Sequence, residues 1–195
     1  MFELATPHPR FHRSFLAATD EFLAAGEEPY AGIPNLPADR QFGGLSLTRA
    51  EMDDPETFAR YATWLASLRE PDSPRPENYV PSTVRWIADG DEYLGQISVR
   101  HELTELLLTW GGHIGYSVRP SARRRGIATA ALRMILPTCA ELGIDPVLVT
   151  CDPDNVGSRG AIERNGGVYE DTRSGKRRYW VPANVGAPTV ADTPA

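Results

Sequence analysis

Cysteine is scarce in this 195-residue chain, with Cys139 and Cys151 the only two. So few thiols cannot build a disulfide framework, and a reducing, cytoplasmic setting is expected. Positive charge is also in short supply. Lys and Arg total 20 against 26 Asp and Glu, a formal charge of −6, which argues against a general nucleic-acid binder. The histidines His8, His12, His101 and His113 form no tight cluster, and no Cys/His set has zinc spacing, so no metal is expected. No apolar run approaches the ~18 residues of a membrane span. The start "MFELATPHPRFHRSF" lacks the basic-then-apolar pattern of a secretory leader. The chain also lacks internal repeats. What remains, 41% hydrophobic and 24% charged residues, suits one soluble domain with enough apolar material for a core.

The first eighty residues read as two helices. Phe11, Phe15, Leu16, Phe22 and Leu23 recur at helical spacing until Gly26 and Pro29. A Pro- and Gly-rich loop runs from Pro29 to Gly44. Asp54 as N-cap and Pro55 at the first helical position open the second helix, which ends before Pro71. From Ser82 the pattern turns to strands: Thr83–Ala88 and Tyr93–Arg100 around the turn "DGDE", then His113–Val118. "GIATAALRMILPTCAELG" predicts a helix with Ile127, Ala131, Met134, Ile135 and Leu142 inward, loosened or kinked at Pro137. "PVLVTCD" reads as a buried parallel strand, "SRGAIERNGG" as a helix, and "VYEDTRSGKRRYWVPA" as a closing hairpin. The tail 184–195 reads as disordered. The fold class is mixed α/β, a single domain over residues 1–182 with a helical N-terminal part and a strand–helix–strand core.

Within that core, "VRPSARRRGIATAAL" places Arg123, Arg124 and Arg125 between a strand and a small-residue helix. Three cations at a helix N-terminus oppose its dipole by roughly 0.3–1 kcal/mol each. An anion there would reverse the balance, because the first amides of a helix have no internal partner and point outward. Gly126 at the helix entrance lets the backbone approach such an anion closely. No Lys-Ser/Thr follows the glycine and no early G-x-G precedes it, which excludes a Walker loop and a dinucleotide fingerprint.

The segment resembles the coenzyme-A-binding motif of the GNAT superfamily of N-acetyltransferases, Q/R-x-x-G-x-G/A, here Arg123-Arg124-Arg125-Gly126-Ile127-Ala128. The set "GGHIGYSVRPS…CDPDN…S…IERNGG…RRYW" is similar to a bacterial group of such proteins without an assigned substrate, over residues 83–182. The resemblance implies a central twisted mixed sheet with flanking helices and acetyl-CoA as cosubstrate. It places the pyrophosphate at Arg123, Arg124, Arg125, Gly126, Ile127 and Ala128, with Thr129 beside them. Tyr116 and Val118 would line the pantetheine arm, and Asn155 would contact the cofactor. The implied acceptor is the primary amine of a small molecule or a peptide terminus, attacking the thioester directly. Neither a membrane nor a nucleic acid is an expected partner, and the oligomeric state stays open, a homodimer included.

The catalytic groups are less clearly marked. His113, Glu102 and Glu105 are the candidate bases, His113 having the best intrinsic pKa for the task. Many relatives carry a Tyr seven residues after the Asn to protonate the leaving thiolate. This chain has Ile162 there, which leaves Tyr116, Tyr169 and Tyr179 as phenols, with Tyr179 chosen. Cys151 reads as buried and inert. Trp64, Trp86, Trp110 and Tyr30 are candidates for an acceptor pocket. Two other readings keep the fold: a non-catalytic acyl-CoA-binding sensor or scaffold, and an enzyme using aminoacyl-tRNA, which the net charge disfavours.

Overall fold

The computed structural model describes residues 2–27, 50–75 and 79–184. The Pro- and Gly-rich loop, Tyr30 and residues 185–195 of the tail lie outside them.

A short strand not expected from the sequence, β1 (Glu3–Ala5), precedes helix α1 (His12–Ala24). It is only three residues long, too short to carry an alternation. Helix α2 (Pro55–Ser67) begins where the sequence reading put it, with Asp54 Oδ2 accepting the Thr57 amide at 2.8 Å. Then come β2 (Ser82–Asp89), β3 (Glu92–Arg100), β4 (Ile114–Val118), α3 (Ile127–Glu141), β5 (Val147–Cys151), α4 (Val156–Glu163), β6 (Val168–Arg173) and β7 (Lys176–Val181). "TELLLTWGG" contributes a π-helical turn, Leu107–Gly111. The seven strands form one sheet in the order β1-β2-β3-β4-β5-β7-β6, antiparallel except for β4 beside β5.

Each face of the sheet carries its own core. On one, Phe11 just ahead of α1, Phe15 on α1, and Phe58 and Tyr61 on α2 pack against Trp86 and Tyr93. Phe15 lies 4.9 Å from Tyr93 and 5.3 Å from Trp86, centroid to centroid. On the other, α3 and α4 bury Ile127, Leu132, Ile135 and Ile162 against Ile97, Val99 and Val149. Tyr93 and Ile97 share parity yet face opposite cores. The register shift that pairs Ile87 with Gly95 but Ala88 with Tyr93 inserts one extra residue, Leu94, and so flips the strand.

The inner stripe of α3 differs from the sequence expectation. Met134 and Leu142 are exposed, and the buried face is Ile127, Ala131, Leu132, Ile135, Leu136 and Cys139. Pro137 sits on the solvent side and the helix runs on to Glu141, so the missing amide bond falls where water can compensate.

A side chain from the crossover fixes α1. Arg119 reaches Glu21 at 2.7 Å, and Glu21 Oε2 also accepts the Ser121 amide. The Arg119 hydrogen bond is the main reason the Glu21 carboxyl is held down at about 2. In the core on that face, Trp86 is fully buried and donates its indole N–H to Gln96 Oε1 at 3.1 Å. Trp86→Ala is expected to cost about 3–5 kcal/mol, read from urea denaturation.

Candidate active site

Strands β4 and β5 share one ladder pair, Ile114 with Val149. On its other side β4 stays fully paired to β3 from Ile114 to Val118. Alternation in that antiparallel ladder turns the main-chain groups of Tyr116 and Val118 toward β5, which no longer pairs with them. The strands therefore open into a wedge. A cavity of about 240 Å³ occupies it, lined among others by Trp110, Tyr116, Cys151, Asp152, Asn155 and Ser158.

The closed end of the wedge explains His113. Its amide donates to Leu148 O at 2.7 Å, its carbonyl accepts from Arg100 N–H, and its ring Nδ1 accepts the Leu148 amide at 2.9 Å. Burial, with help from Arg100, pushes its pKa down to about 4, so the ring is neutral at pH 7. The one acceptor nitrogen of that neutral ring is already committed, and His113 is not among the residues lining the cavity. The geometry makes it a clasp between β4 and β5 rather than the base expected from the sequence.

Tyr179 is also placed away from the cavity. It is fully buried, accepts from Arg177 Nε at 2.8 Å and donates to Glu163 at 3.3 Å. Glu102 and Glu105 are exposed, and neither they nor Tyr179 line the wedge. Of the aromatic candidates, Trp110 lines the cavity, Trp86 is core, and Trp64 donates to Pro74 O.

The hydroxyl that the sequence reading did not single out is Ser158. Its Oγ meets the Tyr116 hydroxyl at 2.7 Å across the wedge, and burial raises the Tyr116 pKa to about 12. The signal was in "DPDNVGS", where Asn155 and Ser158 stand one helical turn apart. Asn155 caps α4 by accepting the Ser158 amide at 2.9 Å, so the cap fixes where that hydroxyl stands.

At the wide end lies the arginine loop. Gly126 has φ 75° and an added Cβ would project into open space, while Arg124 has φ 63°. The first bond into α3 runs from Ala130 N–H to Gly126 O, so the amides of Ile127, Ala128 and Thr129 have no helical partner. No side chain caps this end, and its first turn holds no acid. The cradle fits a pyrophosphate. The arginines divide their work, however. Arg123 forms a two-pronged pair with Glu27 at 2.6 and 2.7 Å and donates to Val118 O, so its side chain is a strut to the end of α1. Arg124 and Arg125 are exposed and have no ion pair among the described residues.

The model of the acetyltransferase (GNAT) domain matches residues 42–168. The chain belongs to the GNAT acetyltransferase family. It is accordingly an acetyl-CoA-dependent N-acetyltransferase. Solved structures agree on the fold. RimJ of Mycobacterium smegmatis, solved with CoA-disulfide, is 20% identical, with a TM-score of 0.61 over 93% of this chain and 82% of that one. The ribosomal-protein-S5-alanine acetyltransferase of Vibrio fischeri is 13% identical, with a TM-score of 0.57 over 96% and 94%. The microcin C7 self-immunity acetyltransferase MccE, solved with acetyl-CoA and AMP, is 12% identical, with a TM-score of 0.58 over 93% and 92%. No curated protein matches the sequence. No helix of the described residues is long and apolar enough to cross a membrane.

Two outcomes test this assignment of parts in the GNAT chain. Unfolded histidine takes up its proton near 6.5, whereas His113 in the fold resists until about 4. Stability contributed by the clasp is thus complete above pH 6.5 and declines as pH falls toward 4. A Tm-versus-pH series should show that decline in the wild type and a flatter profile over the same window in His113→Gln. In a thermal-shift titration, Gly126→Asp should lose the acetyl-CoA response. The Arg124→Ala/Arg125→Ala pair should weaken it, and Arg123→Ala should lower the Tm of the free protein more than it lowers the response.

Proposed function

We propose that this acetyltransferase acts in the cytoplasm on the primary amine of a small molecule or a peptide terminus, by direct attack on the thioester within the β4–β5 wedge. The observation that carries the reading is the wedge itself, with an open-ended helix at its mouth and a Tyr116–Ser158 hydroxyl pair on its wall. The S5-alanine enzyme, named for a ribosomal protein, and MccE, named for microcin C7 self immunity, are consistent with either class of acceptor.

Each residue then has a physical task. The amides of Ile127, Ala128 and Thr129, backed by Arg124 and Arg125, hold the pyrophosphate. Tyr116 and Val118 turn main-chain groups that β5 does not pair toward the pantetheine arm, which adds to β4 as a strand would, with the Val118 carbonyl already accepting from Arg123. Asn155 positions Ser158 at the wall. The hydroxyl pair stabilises charge as it develops on the departing sulfur. Complete proton transfer from Tyr116 would be uphill, since about 12 exceeds the ~8.5 of a thiol. Its task is therefore to donate a hydrogen bond, and solvent supplies the proton. No protein base is assigned. An α-amine with a pKa of ~7.8 reaches its neutral form at pH 7 for about 1 kcal/mol, so orientation suffices for such an acceptor.

The test is a thermal-shift titration with acetyl-CoA followed by a thiol-release screen of amines. A ligand at ~100 times its Kd contributes about 2.7 kcal/mol. A shift with thiol release supports the enzyme, a shift with no release from any amine supports a binding module, and no shift rejects the cosubstrate. Ser158→Ala and Tyr116→Phe should each lower kcat, by up to about 10²-fold, with a smaller change in the Kd for acetyl-CoA.

A further inference from the structure

Lys176 is the single lysine in the sequence; every other member of the 20 Lys and Arg residues is an arginine. It opens β7 immediately after the turn at Ser174 and Gly175, with Arg173, Arg177 and Arg178 around it. Its ammonium lies 2.5 Å from Asp152 Oδ1 and 4.7 Å from the centre of the Trp110 ring. A carboxylate beside an indole face is a good receptor for a primary ammonium. All three side chains line the wedge cavity, together with Tyr116, Cys151 and Ser158. Only 17% of the Lys176 side chain is exposed, against 51% of Asp152, so the amine is turned onto the cavity wall rather than into solvent. Arginine replaces lysine as an ion-pair partner without difficulty, but a guanidinium is broad, stays protonated and is a poor nucleophile. A lysine at this one position has a chemistry that the chain's 19 arginines lack.

We propose that Lys176 is itself an acetyl acceptor, modified by the transfer site on whose wall it lies. This rests on the proposed function, since it uses the same cosubstrate and cavity. The ammonium gives one proton to water. The neutral Nζ lone pair then attacks the thioester carbonyl carbon, the C–N bond forms, and the C–S bond breaks with its electron pair on sulfur. Loss of the second nitrogen proton and uptake of one by the thiolate leave an ε-acetyl-lysine and free CoA thiol. The product has no positive charge, so the pair with Asp152 and the contact with the Trp110 face are both released. Asp152 and Trp110 are then open to the ammonium of an incoming acceptor, and Lys176 acts as a resident occupant of the acceptor subsite that acetylation removes.

The purified chain is incubated with acetyl-CoA and no added amine, then followed by intact mass and peptide mapping, with thermal shift and thiol release in parallel. The expected result is one acetyl increment, mapped to Lys176, at a rate independent of protein concentration. The increment should be lost in Lys176→Arg and strongly slowed in Ser158→Ala. A thermal shift without modification of Lys176 overturns the proposal and leaves the proposed function intact. So does equal modification of the heat-denatured chain, which is spontaneous acylation. Absence of both the shift and thiol release rejects the proposed function, and this proposal falls with it.

Discussion

The divergence of β4 from β5 is the constraint on which the site depends. Two parallel strands that share one ladder pair leave main-chain donors and acceptors facing each other across a gap, and unpaired backbone groups away from water are costly. The fold tolerates the gap because its closed end is secured by more than the ladder. His113 contributes an amide, a carbonyl and a ring nitrogen to the junction, joining β3, β4 and β5 at one residue. Gly112 beside it has φ 63° and ψ −173°, a conformation nearly restricted to glycine, and a Cβ there would lie 2.6 Å from Leu148 O. The backbone at the junction is therefore packed as tightly as the wedge beyond it is open.

The arginine segment couples this wedge to the helical layer. Of the four arginines near the crossover, Arg119 and Arg123 turn back toward α1, to Glu21 and Glu27. They hold α1 against the same loop whose amides face outward at the start of α3. Arg124 and Arg125 remain available on the outer side. One short basic stretch thus does two jobs, which is how an acidic chain presents a local positive surface without a basic face.

Apart from β1, strands, helices and their order were legible because the segments carried their own signals: the turn "DGDE" between β2 and β3, Asp54-Pro55 before α2, and Gly126 before α3. The open start of α3 was legible because the segment around Gly126 is contiguous. The Tyr116–Ser158 pair was not, because its parts come from separate elements. Tyr116 is on β4 and Ser158 on α4, and nothing in either segment announces a 2.7 Å contact. His113 failed for a related reason. A strand histidine next to glycines looks the same in sequence whether its ring faces a cavity or a neighbouring amide. The stripe of α3 was misjudged at Met134 and Leu142 because apolar residues surround much of that helix, and only the packed sheet decides which arc is buried.

The Ile162 departure follows from the same packing. Ile162 is fully buried, and Gly167 passes so close that a Cβ on it would lie 2.5 Å from Ile162 Cγ2. A phenol at this position would need space that the turn into β6 already fills. The wedge has instead the Tyr116 hydroxyl, which reaches it from β4, where the ring packs against the α3–α4 core. Its hydroxyl is held by Ser158, which the Asn155 cap holds in turn. The Tyr116 side chain stands fixed relative to the main-chain groups of β4 that face the wedge, because both belong to one strand paired along its whole length to β3. On the proposed reading, the hydroxyl and the groups that would receive the pantetheine arm thus share one strand, and α4 steadies the hydroxyl through Ser158.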